Sequence, residues 1–325
     1  MIVLGIESTA HTFGVAVLKD NKVLCNEKSV YTTESGGIIP VKLVDHHVKD
    51  CDKVLENALK KAKINPQDID LIAFSQGPGM GHALRVGAIM ARTMSMILNK
   101  PMVGVNHCIA HLEVGKLATE CKDPVLLYAS GANTQIIAFD AGKYRIFGET
   151  LDNGVGNFID SFARDIDLGF PGGPLIEKLA LKGKKFIELP YVVKGMDVSF
   201  GGLQTNLRQK IRSGKFKKED LCYSMQETTF AMLLEVSERA MAHCDKKELL
   251  LGGGVACNKR LQEMAHKMCE ERGAKCFVPE NQFLVDNAGM IAFTGMIMFK
   301  AGNKLPVSKS QIRPYERTDD VDVNW

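Results

Sequence analysis

Apolar and polar positions alternate along this chain in a pattern that occurs twice. Val3 to Ile6 and Phe13 to Leu18 are strand-like runs joined by the small polar turn Glu7-Ser8-Thr9-Ala10-His11-Thr12, which predicts a β-hairpin. The pattern returns at Val125 to Tyr128 and Gln135 to Phe139, around the turn Ala129-Ser130-Gly131-Ala132-Asn133-Thr134. Between the hairpins the periodicity predicts a helix over Lys49 to Lys63, a strand over Leu71 to Ser75, the turn Gln76-Gly77-Pro78-Gly79, and an Ala- and Met-rich helix over Gly87 to Leu98. After the second hairpin come mostly helices, then a strand at Glu248 to Leu251 that runs into Gly252-Gly253-Gly254 and a helix from Asn258. Leu305 to Trp325, with the acidic Asp319-Asp320-Val321-Asp322, is expected to be an extended tail. The order is mixed α/β, and the repeated hairpin predicts two similar lobes, 1-124 and 125-325.

Composition narrows the class. A length of 325 residues exceeds what one hydrophobic core usually serves. Apolar residues at 45% and charged ones at 24% are ordinary globular values. With 41 basic and 38 acidic residues the net charge is only +3, so any nucleic-acid contact must be local or shared with partners. Nine cysteines, none at C-x-x-C spacing, argue for reduced thiols in a cytosol. The apolar start of the chain is interrupted by Glu7 and lacks a small-residue cleavage pattern, so it is read as a folded strand. The longest apolar stretch, Met290 to Phe299, is about half a bilayer span. A soluble, cytoplasmic protein with no membrane contact is expected.

Three clusters carry candidate chemistry. A turn of Ser, Thr and Gly between apolar strands exposes N–H groups and hydroxyls to a phosphate. Two such turns plus Gly252-Gly253-Gly254 are the combination by which the two-lobed actin, hexokinase and Hsp-type ATPase (ASKHA) fold grips a nucleotide, which makes ATP or ADP possible occupants. His107 and His111 stand at i and i+4 in Val-Asn-His-Cys-Ile-Ala-His, so on a helix both imidazoles face one way, at metal-ligand spacing. Tyr128 and Asp286 supply oxygen ligands, a donor set that suits iron or zinc and not calcium. Cys108 follows His107, so the H-E-x-x-H general base of a zinc protease is missing. In the third cluster, Asp160 and Glu177 are candidates for ribose hydroxyls, while Gly173 lets the backbone approach a ligand; the competing roles are helix capping for Asp160 and a favourable charge at a helix N-terminus for Glu177. A basic run at Arg208, Lys210, Arg212, Lys215, Lys217 and Lys218 is a candidate tRNA footprint, with phosphate contact and little base stacking.

Gly-Ile-Glu-Ser-Thr-Ala-His-Thr at 5 to 12, Ser-Gln-Gly-Pro-Gly-Met-Gly at 75 to 81, Val-Asn-His-Cys-Ile-Ala-His at 105 to 111 and Tyr-Ala-Ser-Gly-Ala-Asn-Thr-Gln at 128 to 135 resemble one family. It is the catalytic subunit of KEOPS-type complexes, archaeal and eukaryotic branch, once classed with O-sialoglycoprotein endopeptidases. The resemblance continues in order through Leu-Asp-Asn-Gly-Val-Gly-Asn, Phe-Pro-Gly-Gly-Pro, Asp-Val-Ser-Phe, Gly-Gly-Gly-Val-Ala-Cys-Asn and Asp-Asn-Ala-Gly-Met-Ile-Ala. It implies transfer of threonylcarbamoyl from threonylcarbamoyl-AMP to the exocyclic amine of the adenosine after the anticodon in tRNAs reading ANN codons. It further implies one divalent metal, iron before zinc, on His107, His111, Tyr128 and Asp286, with catalysis by His107, His111 and Asp286 through that metal. Tyr128, Ala129, Ser130, Gly131, Ala132, Asp160, Gly173, Glu177 and Asn258 would contact the adenylate, and a separate small kinase and other KEOPS-type subunits would be partners. Two positions depart from the family pattern: Lys42 stands near a usual Arg, and Gly201 where Ser usually follows Asp-Val-Ser-Phe. The competing readings are a metal-independent small-molecule kinase or ATPase of the same fold, a protease, and a non-catalytic scaffold.

Overall fold

The computed structural model describes residues 1–33 and 38–325. Its first sheet is built from β1 (Ile2–Glu7), β2 (Thr12–Lys19), β3 (Lys22–Val30), β4 (Leu71–Gly77) and β5 (Met102–Asn106), in the order β3-β2-β1-β4-β5. β1 is antiparallel to β2, Val3 opposite Leu18, and parallel to β4, Val3 opposite Leu71. Helices α1 (Pro40–Ala62), α2 (Gly81–Leu98) and α3 (His107–Ala118) complete this half of the chain.

The second sheet repeats the plan. It takes β6 (Val125–Ala129), β7 (Thr134–Asp140) and β8 (Lys143–Glu149) as an antiparallel meander. Helices α4 (Val155–Asp165) and α5 (Gly173–Ala180) follow, then a ribbon of β9 (Val193–Lys194) and β10 (Asp197–Val198), then α6 (Gly201–Arg212) and α7 (Lys218–His243). β11 (Glu248–Gly252) joins β6 in parallel, and after α8 (Lys259–Arg272), β12 (Lys275–Phe277) joins β11. The order β12-β11-β6-β7-β8 is that of the first sheet, with three antiparallel strands and two parallel ones. Both hairpins predicted from the sequence are present, as are β4 and β11.

Two predicted helices start earlier than expected. α1 begins at Pro40, because the buried stripe Leu43, His47, Val54, Ala58 contains a histidine where the periodicity needs an apolar residue. α2 begins at Gly81 with Ala83 and Leu84 already buried. β3 and β8 escaped the pattern because they are partly exposed strands with mixed side chains.

The chain ends by returning to the first sheet. α9 (Asn281–Leu284) is a single turn, and α10 (Ala288–Lys300) packs Met290, Ile291, Ala292 and Met296 against Val3, Leu18, Leu71 and Val105. The residues after α10 form an irregular strap. Leu305 N–H donates to the Met102 carbonyl, Arg313 N–H to that of Gln76, Arg317 pairs with Glu149 at 3.1 Å, and Trp325 Nε1–H donates to Glu113 at 3.1 Å. The expected tail therefore ties elements of both sheets together. All nine cysteines are unpaired, and among the described residues no helix is long and apolar enough to cross a membrane.

α10 lies directly on the β1 backbone. A Cβ at Gly5 would fall 2.3 Å from the Ala288 carbonyl oxygen and 2.7 Å from the Ala292 nitrogen, both rigid helix backbone. Gly5→Ala is expected to cost about 1–3 kcal/mol, read as a lower melting temperature; an unchanged melting temperature would contradict this packing.

Candidate metal centre and nucleotide cleft

β5 runs straight into α3, with Asn106 as the N-cap: its side-chain oxygen accepts from the Cys108 and Ile109 N–H groups at 3.0 and 3.2 Å. The Asn106 amide in turn donates to Glu316 of the strap at 3.1 Å. His107 is the first helical residue, and His111 follows one turn later on the same face. Their ring centroids are 4.9 Å apart. α3 is buried on all sides from His107 to Gly115, so its two imidazoles are held in the interior.

Asp286 comes from the far end of the sequence, one residue before Asn287, which caps α10 by accepting from Met290 N–H at 3.0 Å. Its Oδ1 lies 3.3 Å from His107 Nε2 and 3.4 Å from His111 Nε2. One ligand atom from each of these three residues falls within 4.8 Å of the others. Tyr128, near the end of β6, is 1% exposed, and its ring centroid lies 4.9 Å from that of His111 and 6.3 Å from that of His107.

Sequence reasoning missed the carboxylate behind this group. Glu7 ends β1 with no exposed side-chain surface, and its Oε2 lies 3.1 Å from His107 Nδ1. Its other oxygen accepts from Thr9 N–H at 2.7 Å and the Thr9 hydroxyl at 2.5 Å. A carboxylate on Nδ1 fixes the imidazole tautomer and leaves Nε2 free to ligate. The available signal was an acid closing an otherwise apolar strand.

Electrostatics separate the roles. Burial alone would push the His107 imidazole down, but Glu7 and Asp286 together raise it well above its ordinary value. Burial lowers His111. Burial would raise Asp286, yet the two imidazoles hold it well below the usual carboxylate range. Burial also raises the Tyr128 phenol, and it pushes the Cys108 thiol up to about 11, so Cys108 stays protonated at neutral pH and is a poor ligand or nucleophile. Neither ring nitrogen of His111 has a hydrogen-bond partner, although Nε2 approaches Asp286. A wholly buried imidazole without a partner is costly, and a cation between His107, His111 and Asp286 would satisfy its Nε2. The donor set of two imidazoles and a carboxylate, with a phenol beside them, fits a transition metal.

The second group of sequence-derived residues lines a rim beyond Tyr128. Ala129 ends β6, and Ser130, Gly131 and Ala132 form the turn to β7, where Ser130 N–H and hydroxyl both donate to the Asn133 carbonyl. The carbonyls of Ser130 and Gly131 accept from Gly156 and Asn157 N–H at 2.9 and 2.8 Å, which fastens the start of α4 to this turn. Gly253, at φ +88°, lies on the other side; a Cβ there would sit 2.3 Å from the Ala129 carbonyl oxygen. Asp160 of α4 accepts from Gly172 N–H at 2.7 Å, and burial raises its carboxyl. Gly173 opens α5 with empty space where a Cβ would stand. Glu177 accepts from Lys259 N–H at 2.7 Å, and Asn258 caps α8 while donating to Gln226 at 2.9 Å. Asp160 and Glu177 thus each brace the start of another helix through a backbone N–H, on a rim continuous with the exposed turn at Gly131 and Ala132. The parallel strands β5, β6 and β11 all point their carboxyl ends at this region, where open α/β sheets bind ligands.

Of the two departures, Lys42 is exposed in the first turn of α1. Gly201 donates its N–H to Asp152 at 2.7 Å, and a Cβ there would lie 2.9 Å from the same carboxylate, so Asp152 occupies the space a larger residue would need.

A family profile described as TsaD, tRNA N6-adenosine threonylcarbamoyltransferase, matches residues 22–293. A protein of the same description from Thermococcus sibiricus is 55% identical over 325 residues, covering 100% of both chains, and one from Thermococcus kodakarensis is 54% identical over the same span. A probable bifunctional tRNA threonylcarbamoyladenosine biosynthesis protein from Methanosarcina mazei is 51% identical, covering 99% of this chain and 59% of its own. Among solved structures, Thermococcus kodakarensis HypF superposes with a TM-score of 0.67 at 14% identity, over 92% of this chain and 47% of that one. The activator of 2-hydroxyisocaproyl-CoA dehydratase from Clostridium difficile, with bound ADPNP, superposes at 0.56 and 11% identity, over 92% and 96%. These distant likenesses bear out the two-lobed ATPase-type fold.

Glu7→Gln keeps the size of the side chain and removes its charge. Chelator competition is expected to show a metal affinity about 10- to 100-fold weaker; an affinity equal to that of the parent protein would remove Glu7 from the site.

Proposed function

The chain belongs to the tRNA N6-adenosine threonylcarbamoyltransferase family, and from that premise we propose how its residues divide the work. It is a transferase that forms threonylcarbamoyladenosine in tRNA. His107, His111, Asp286 and Tyr128 are the ligands of one divalent metal, iron first and zinc second. The observation that carries this is the buried His111 ring, with both nitrogens unpartnered beside Asp286. When bound, such a metal supplies Lewis-acid stabilisation of charge on a carbonyl or phosphate oxygen.

The donor is threonylcarbamoyl-AMP, seated on the rim from Tyr128 to Ala132 with Asp160, Gly173, Glu177 and Asn258 around it. ATP or ADP would fit the same cleft. The open space at Gly173 supports close approach of a ribose or base to backbone. In the transfer, the exocyclic amine of the tRNA adenosine attacks the carbamoyl carbon, a C–N bond forms, the C–O bond to the phosphate breaks, AMP departs and the amine releases a proton. A mixed anhydride is already activated, so the protein chiefly aligns amine and carbonyl and stabilises charge. Glu7 orients His107 through Nδ1, and Asn106 fixes the start of α3 that carries both imidazoles.

The acceptor is the adenosine after the anticodon in tRNAs reading ANN codons, and the chain acts in the cytoplasm as the catalytic subunit of a KEOPS-type assembly with a separate small kinase. The bifunctional name of the Methanosarcina mazei relative supports a companion function in the same biosynthesis. A metal-independent kinase would have no use for two buried imidazoles facing a carboxylate.

The test supplies purified threonylcarbamoyl-AMP and tRNA, with and without partner subunits, and measures threonylcarbamoyladenosine. His111→Ala is expected to lose bound metal and, through loss of several kcal/mol of charge stabilisation, at least ~100-fold in transfer, while its thermal melt stays cooperative. Full transfer by a metal-free His111→Ala protein would refute the metal role.

A further inference from the structure

Two basic segments far apart in sequence meet on one surface. Asp220, in the first turn of α7, accepts from the Lys184 and Lys185 N–H groups at 2.8 and 3.0 Å, which docks the loop after α5 against the start of α7. Residues 178–188 and 208–220 together hold ten basic and three acidic side chains, a net of +7 against +3 for the whole chain. The remainder of the protein is therefore net −4, so the chain's excess of positive charge is concentrated in these two segments.

Part of this charge is spent within the fold: Arg208 pairs with Asp165 at 2.7 Å, and Lys218 meets Asp167 at 3.4 Å. Lys182, Lys184, Lys185, Arg212, Lys215 and Lys217 are all exposed and, among the described residues, form no ion pair. Exposed aromatic rings stand among them. Phe216 lies beneath the Lys210 ammonium, 5.1 Å from ring centroid to Nζ, and Phe186 is 54% exposed with its ring edge-on to Tyr223. Lysines interspersed with exposed rings suit a phosphodiester backbone with some unpaired bases, because ammonium groups release counterions and ring faces accept bases of any sequence. From the sequence alone the aromatic component was not expected; Phe186 joins the patch only through the fold.

The patch is also well placed. From its start at Lys218, α7 reaches Gln226, the residue bonded to Asn258 on the cleft rim, within its first turns. Eight residues of helix span about 12 Å.

We propose that this surface, formed by the loop after α5 and the α6–α7 junction, holds the tRNA backbone beside the adenosine delivered to the cleft. The inference rests on tRNA being the acceptor.

The experiment titrates the full chain with unmodified tRNA transcript across a potassium chloride series. The protein is expected to bind with a steep salt dependence, and Lys184→Glu/Lys185→Glu/Lys217→Glu to bind at least about tenfold more weakly, with a log K against log salt slope shallower by about 2 to 3. The Lys→Gln triple variant should give the same shallower slope with a smaller loss, and both should melt like the parent, since the three side chains are exposed. A parent slope in both variants, or a parent chain whose tRNA binding ignores salt, overturns the proposal, as does loss of contact with an acidic partner protein while tRNA binding is kept. Failure of the transferase reading is a different result: steep tRNA binding by a parent chain that never acylates.

Discussion

Two buried imidazoles, the buried carboxylate of Glu7 and the partly exposed carboxylate of Asp286 come together where β1, α3 and the approach to α10 meet, an arrangement that a cation at its centre would stabilise. Glu7 and Asp286 face His107 from opposite sides, at 3.1 and 3.3 Å, and His111 stands one helical turn away with no hydrogen bond. Buried polar groups are ordinarily paired, because an unpaired one forfeits its hydration without return. An apolar residue in place of His111 would have relieved that deficit at no cost to α3, which is buried throughout the turns concerned. The retained imidazole makes physical sense as a ligand.

The rest of the architecture places these groups. His107 and His111 come from α3, Asp286 from the approach to α10, Tyr128 from β6 and Glu7 from β1, so the centre joins both sheets and both ends of the chain. α10 fixes Asp286 by lying on Gly5 of β1, at a distance that admits no side chain. The strap braces the other side, with Glu316 holding Asn106 and Asn106 holding the first turn of α3. From Tyr128 the chain passes directly into the turn that receives α4 and the glycine loop, so the proposed metal and nucleotide sites share one strand. That continuity suits an acyl transfer in which donor phosphate and stabilising charge must sit side by side.

Much of this was legible in the residues. The period-2 runs around two Ser/Thr/Gly turns gave the hairpins and the duplication, and the i, i+4 histidines required only that α3 be helical. Other features depended on tertiary structure. His47 interrupts the apolar stripe of α1, so the helix was expected nine residues late. No local periodicity links Asp286 to His107 across more than half the chain; family resemblance and donor chemistry put them together, and the fold sets them 3.3 Å apart. Glu7 was visible as an acid ending an apolar strand, but its partner lies on another element. Asp160 and Glu177 show why single acids are hard to assign: each already accepts a backbone N–H that stabilises the rim, which leaves one carboxylate oxygen of each for a ligand.

In the proposed centre, one cation is shared by two imidazoles, a carboxylate and a phenol. Crystals of the protein loaded with iron or zinc, measured at the metal's absorption edge, test it directly. One anomalous peak per chain is expected, with His107 Nε2 and His111 Nε2 at about 2.0–2.1 Å and with Asp286 and Tyr128 oxygens completing the coordination. A peak elsewhere, or a metal held without the Tyr128 oxygen, would contradict it.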